Sequence, residues 1–128
     1  MKYAVLLLAL MFAGCGESST IIVGEPIQIA KEDFPEEMNW YDAKKACDNL
    51  GDGWRLPTIF ELRMMYEHLY LEGKGNFTHQ HYWSSCTIVR DVKDPKNARY
   101  LSFESGEANY GLNTKQDEKR VRAVRDLP

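Results

Sequence analysis

The sequence predicts one α+β domain, and three observations carry that prediction. The chain has 128 residues, which is room for a single hydrophobic core. Apolar residues recur at helical spacing through residues 40–71 and at alternating spacing beyond Phe77. Helices first and an antiparallel meander afterwards is the order of an α+β fold. Hydrophobic residues make up 44% and charged residues 27%, a balance that supports folding rather than disorder. Three Trp, seven Tyr and five Phe are expected to carry much of the core. The formal net charge of −3 lacks the broad positive field that displaces counterions from DNA or RNA, so no nucleic-acid partner is expected. No internal repeat, low-complexity tract or membrane-spanning run is present.

Each element has a local cause. Residues 20–30 read as β structure interrupted by the turn residues Gly24, Glu25 and Pro26, with Ile27 and Ile29 alternating afterwards. Asn39 can cap the first helix, and Asp42 places negative charge in its first turn. Trp40, Ala43, Cys47 and Leu50 form its buried stripe, and Gly51 and Gly53 end it. Pro57 pushes Leu56 out of the helical region, so residues 54–56 are extended. Thr58 and Glu61 have the spacing of a capping box that opens a second helix. That helix is expected over residues 59–71, burying Leu62, Tyr66 and Leu69 and ending at Gly73. Strands are then expected at 82–89, 99–103, 108–112 and 120–125, with a turn at Ser105-Gly106.

The N-terminus reads as an export address. Lys2 supplies one positive charge, residues 4–11 form an apolar run, and small Ala13 and Gly14 precede Cys15. The run is too short to span a bilayer but suits the apolar region of a signal peptide. The pattern resembles a lipoprotein signal, although Phe12 stands where such signals usually carry Leu. The resemblance implies a leader at 1–14, lipidation of Cys15 with a short tether over 15–19, and a domain over 20–128. Acyl chains on Cys15 would anchor the protein to the bacterial cell envelope without a transmembrane helix. Gly16 after the cysteine is similar to enteric lipoproteins of the outer membrane rather than those retained in the inner membrane. Cys47 and Cys86 then remain as an even pair in an oxidising compartment. They can form a disulfide adding roughly 3 to 4 kcal/mol, or stay as two separate buried thiols.

The strings Trp54-Arg55-Leu56-Pro57-Thr58 with Glu61-Leu62, Tyr82-Trp83-Ser84-Ser85, Phe103-Glu104-Ser105-Gly106 and Val121-Arg122-Ala123-Val124-Arg125 occur in that order. Together, over residues 39–125, they resemble the DUF1566 family, the domain type at the C-terminus of the Legionella collagen-like adhesin. The resemblance implies a C-type-lectin-like fold, two helices packed on a short twisted antiparallel sheet whose first and last strands lie together. Many members pair the helix cysteine with a cysteine in the last strand. Ala123 holds that place here, so Cys47 must find Cys86 or stay reduced. The calcium-binding triplets of animal lectins are absent, and no cysteine follows Cys86 to support formylglycine-type oxidation.

The expected function is therefore a lipid-anchored, non-catalytic binding module that meets a glycan or protein through the loops between residues 73 and 113. Arg90, Asp91, Asp94, Asn97, Asn109 and Tyr110 are the candidate ligand-binding side chains. A structural subunit of an envelope complex and, more remotely, a metal-dependent enzyme are the alternatives. Trp54, Tyr82 and Trp83 could stack on a sugar but suit the core better, and Arg55 suits a structural ion pair. His68, His79 and His81 lack the companions of a zinc site, although the last two would share a strand face. Asp91, Asp94 and Asn97 lack the spacing of a calcium loop. Ser84 and Ser85 lack the base and acid of a hydrolase. Lys115, Lys119, Arg120, Arg122 and Arg125 could form an anion site for an acidic polysaccharide, or a charged strand face balanced by Asp117, Glu118 and Asp126. Neither a metal nor a cofactor is expected.

Overall fold

A computed structural model describes residues 3–6, 11–12, 21–22, 26–87, 97–109 and 114–127. Its strands are β1 (Tyr3–Leu6), β2 (Met11–Phe12), β3 (Ile21–Ile22), β4 (Ile27–Ala30), β5 (His81–Thr87), β6 (Ala98–Ser102), β7 (Ala108–Asn109) and β8 (Val124–Asp126). Two helices, α1 (Trp40–Asn49) and α2 (Ile59–His68), lie between β4 and β5. One sheet has the order β1-β4-β8, a second β5-β6-β7, and β2 pairs with β3. All named pairings are antiparallel. β4 and β8 join the two ends of the domain, with Ile27 opposite Asp126 and Ile29 opposite Val124.

The helices begin as their sequences dictate. Asn39 is extended and its side chain accepts from Asp42 N at 2.9 Å. Trp40, Ala43 and Cys47 are the buried stripe of α1. Thr58 Oγ1 accepts from Glu61 N at 3.1 Å while Thr58 N donates to Glu61 Oε1 at 2.7 Å, which completes the capping box of α2. α2 stops sooner than its apolar period suggests. It ends at His68, and Tyr70–Glu72 tighten into a 3-10 turn closed by left-handed Gly73. Such tightening is a common way of satisfying the last carbonyls. Ile59, Leu62 and Met65 consequently carry its buried face, with Tyr66 and Leu69 at the margin.

Adjacent residues on a strand point to opposite faces, and this divides the core in two. Trp83 joins Ala30, Trp40, Ala43, Cys47, Trp54, Leu56, Ala98, Val121 and Ala123 on the α1 side. Tyr82 joins Ile27, Ile29, Leu62, Met65, Leu101, Phe103 and Val124 on the α2 side. Each fully buried large apolar side chain contributes about 1.5–3 kcal/mol. The Tyr and Trp polar tips find partners: Trp83 Nε1 donates to Met38 O at 2.8 Å and Trp40 Nε1 to Ser84 O at 2.9 Å.

Three expectations are corrected. The single C-terminal strand is two pieces: Lys119 and Arg120 bridge to Met38 and Tyr82, and only Val124–Asp126 forms a regular strand. Residues 121–124 are all buried, so the segment crosses the interior instead of lying on one face. Second, Cys47 is a free thiol, so no Cys47–Cys86 disulfide forms. Cys47 packs within the α1-side cluster that includes Ala123, while Cys86 is buried near the far end of β5, where its N–H donates to Ser84 Oγ. Third, His79 and His81 do not share a face: His79 Nδ1 meets Tyr70 Oη at 2.6 Å, whereas His81 stacks on Tyr100.

Candidate functional site

The motif residues are committed to holding elements together. Arg55 exchanges backbone hydrogen bonds with Val124 at 2.8 and 2.9 Å, which docks the segment before α2 onto β8. Its guanidinium grips Glu61 through two bonds, 2.8 Å to Oε1 and 2.9 Å to Oε2, and reaches Asp126 Oδ1 at 2.9 Å. The Glu61 hydrogen bond, foremost among several causes, holds the Arg55 pKa above its ordinary value. Glu61 thus caps α2 and ties it to β8 at once. Trp54 is buried beneath the Arg125 guanidinium, 4.9 Å from its ring centre. These contacts tie the segment before α2 to both α2 and β8.

A second charged hub escaped the sequence reading. Arg122 is 1% exposed and donates to Asp33 Oδ1 at 2.7 Å, Ala30 O at 3.0 Å, Gly75 O at 2.8 Å and Asn76 O at 2.9 Å. Its guanidinium lies 4.0 Å over Phe77. Asp33 also accepts from Tyr82 Oη at 2.6 Å. The available signal was its place inside the apolar run from Val121 to Val124, which a solvated arginine would interrupt.

The remaining C-terminal cations do not assemble an anion site. Lys115 sits 4.3 Å over Trp40 and 5.4 Å from Tyr41, and Lys119 lies 3.9 Å over Tyr100 and 5.2 Å over Trp83. Burial lowers the Lys119 pKa, against an opposing pull from Asp117. Arg120 donates to Gln80 at 2.7 Å, and Arg125 to Gln28. Stacking on aromatic faces replaces part of the hydration these charges lose, and it spreads them over separate partners.

The other candidates have ordinary surroundings. Ser84 is buried, and its hydroxyl donates to Arg99 O at 2.6 Å. Ser85 is exposed and His68 lies on the exposed part of α2. Among the described residues no group of three metal-ligating side chains gathers. Of the six candidate ligand residues, Arg90, Asp91, Asp94 and Tyr110 lie outside the described residues, as does Cys15. Asn97 and Asn109 are described. β5 and β7 both run toward the end of the sheet where Thr87 pairs with Ala98, and Asn109 pairs with Tyr100. Thr87, Ala98 and Asn109 therefore mark one end of one sheet. Asn109 Nδ2 donates to Glu107 O at 3.1 Å, whereas Asn97 Oδ1 is sheltered without a donor. A separate cleft of about 460 Å³ is lined by Ala30, Lys31, Glu32, Asp33, Phe34, Pro35, Leu50 and Ala123, none of them a candidate from the sequence.

The sequence model of the Lcl C-terminal domain matches residues 11–125. The chain belongs to the Lcl C-terminal domain family. Among solved structures, the snake venom toxin convulxin is similar at 12% identity, with a TM-score of 0.56, over 96% of this chain and 98% of that one. EMS16, an antagonist of collagen receptor integrin alpha2beta1, is similar at 9% identity, with a TM-score of 0.56, over 95% of this chain and 100% of that one. No curated protein matches the chain. The Lcl C-terminal domain seen here has the C-type-lectin-like fold expected of it. Within it, Trp40, Trp54 and Trp83 lie in the α1-side core, Arg55 and Arg122 bind neighbouring elements, and Cys47, in the cluster with Ala123, is a free thiol. Among the described residues no helix is long and apolar enough to cross a membrane.

Proposed function

We propose that this Lcl C-terminal domain is a non-catalytic binding module of the bacterial cell envelope, tethered by lipid on Cys15, with its ligand-binding surface formed by the loops between residues 73 and 113. One observation carries the reading. β5 ends at Thr87, β6 begins at Ala98 and β7 ends at Asn109, all at the same end of the β5-β6-β7 sheet, while Arg55, Glu61, Arg122 and Asp33 are spent on internal contacts. A frame satisfied within itself and a shared loop end suit recognition better than reaction, since catalysis needs a nucleophile, base or metal poised in a cleft. A fold of this kind acts against a protein receptor in EMS16, which supports a protein ligand alongside a glycan. The anchor rests on the pattern before Cys15, and outer-membrane placement rests on Gly16.

The test uses the mature protein, purified in detergent, on glycan arrays and in envelope pull-downs. A saturable ligand whose binding weakens at least tenfold on Asp94→Ala or Tyr110→Ala, with melting unchanged, supports the reading. A folded protein that engages neither glycans nor an envelope protein overturns it. Mass spectrometry of the same sample reads the acyl chains on Cys15 directly.

A further inference from the structure

We propose that the cleft beside residues 30–35 is a second binding site, which takes a small zwitterion with an apolar side chain, the chemistry of a free apolar α-amino acid. It shares no lining residue with the β5-β6-β7 sheet, so it stands or falls independently of the loop end.

The cleft originates in a slip of strand register. Ile27 lies opposite Asp126 and Ile29 opposite Val124, and Ala30 N continues that register by donating to Ala123 O at 3.0 Å. The next bond to the C-terminal run is from Phe34 N to Val121 O at 2.9 Å. Four steps along one chain, Ala30 to Phe34, therefore face two along the other, Ala123 to Val121. The surplus residues must bow outward, as they do in a bulge. Lys31 and Glu32 form the bend. Arg122, enclosed by the slip, braces the bow from the interior, with Nη1 donating to Ala30 O at 3.0 Å and Nε to Asp33 Oδ1 at 2.7 Å. The space beside the bow is therefore built into the fold.

What lines that space sets the ligand. Ala30 and Ala123, 5% and 1% exposed, are small and leave room. Phe34 and Leu50, partly buried against the α1-side cluster, supply larger apolar surface. The volume of about 460 Å³ falls in the range of small-ligand sites, roughly 300 to 1,000 Å³. Of the three charged residues in the lining, Asp33 is committed, with one oxygen to Arg122 and the other to the Tyr82 hydroxyl. Lys31 and Glu32 are exposed, and among the described residues neither side chain has an ion pair or hydrogen bond, even with the other. Opposite charges on adjacent residues beside an apolar pocket match a ligand that carries an ammonium, a carboxylate and an apolar group on one carbon. Glu32 meets the ammonium, Lys31 meets the carboxylate, and the apolar group packs on Ala30, Ala123 and Leu50. A ligand lacking any of the three groups forfeits that share of the binding.

Amide chemical shifts of the purified full chain, titrated with L-phenylalanine and L-leucine, test this. Saturable shifts are expected at Ala30, Phe34, Leu50 and Ala123. Phenethylamine, hydrocinnamate and glycine, each lacking one of the three groups, should bind roughly tenfold or more weaker. Lys31→Gln should weaken phenylalanine by a similar factor and leave phenethylamine unchanged, whereas Glu32→Gln should weaken phenylalanine and leave hydrocinnamate unchanged. Both side chains are exposed, so both variants should melt as the parent does. A folded chain whose four amides do not move with either amino acid overturns the site. So do analogues that bind as tightly as phenylalanine, or variants that bind it unchanged, and each of these results leaves the loop-end reading intact.

Discussion

Arg122 is a buried charge with four hydrogen-bond partners. It joins the segment after β4, the turn before β5 and the C-terminal run at a single point. Removing a buried, fully bonded charge strands its partners, and Asp33 would keep only the Tyr82 hydroxyl. Arg122→Ala is expected to cost about 3–5 kcal/mol, measured by urea denaturation. Arg122→Lys should recover only part of that, because an ammonium cannot reproduce the planar fork. Two other residues set a pH limit. Burial, with a smaller push from Asp48, raises the Cys47 thiol from 9.0 to about 12. Burial and the bond to Asp33 raise the Tyr82 hydroxyl from 10.0 to about 12. Both groups hold their protons more tightly folded than unfolded, so their contribution is complete below pH 9 and is lost as pH rises toward 12. Denaturant midpoints should be flat from pH 7 to 9 and fall above it. Cys47 should likewise resist alkylation until the protein unfolds.

At the scale of elements, the junction from Arg55 to Glu61 has the clearest consequences. Thr58→Ala removes one cap bond and should cost about 1 kcal/mol. Glu61→Ala removes the reciprocal cap and both Arg55 bonds, and should cost about 2–3 kcal/mol. A double-mutant cycle with Arg55→Ala should show coupling, since the carboxylate serves both roles. This junction was legible in the sequence because its causes are local: a proline fixing its predecessor, and a threonine three residues before a glutamate. The cap at Asn39 and the stripe from Trp40 to Cys47 were legible for the same reason. The end of α2 was not, because its apolar spacing runs on into a 3-10 turn that periodicity alone does not distinguish. Nor was the contact between Arg122 and Asp33, which lie 89 positions apart, or the interruption of the last strand, which that contact accompanies. Sequence spacing also misjudged His79 and His81, since β5 begins only at His81.

For the molecule as a whole, the order of elements from Ile27 onward and the closure of β4 on β8 were legible, because each motif string marks one packed element, whereas the strands β1 and β2 were not expected in a stretch read as a leader. The candidate site was legible only as a region. Its loops carry polar residues without a fixed spacing, and binding specificity resides in such segments and not in the frame that presents them. The frame is held by arginine hubs and aromatic packing, so thermal unfolding should be indifferent to chelation. EDTA is expected to leave the melting temperature unchanged within about 2 °C, whereas a calcium ion bound through the segment near Asp94 would make it fall.

The bond from Leu127 N to Pro26 O, beside Ile27 opposite Asp126, brings the two ends of the domain side by side. A body whose entrance and exit coincide can be spliced into a host protein's surface turn without prying that turn open. It can equally be rewired into a circular permutant by a few glycines bridging the gap, with new ends cut in the turn at Ser105. Such a permutant should keep its far-UV spectrum and cooperative melting. A fusion partner joined after Leu127, by contrast, would crowd the pole where the chain enters the domain at Pro26.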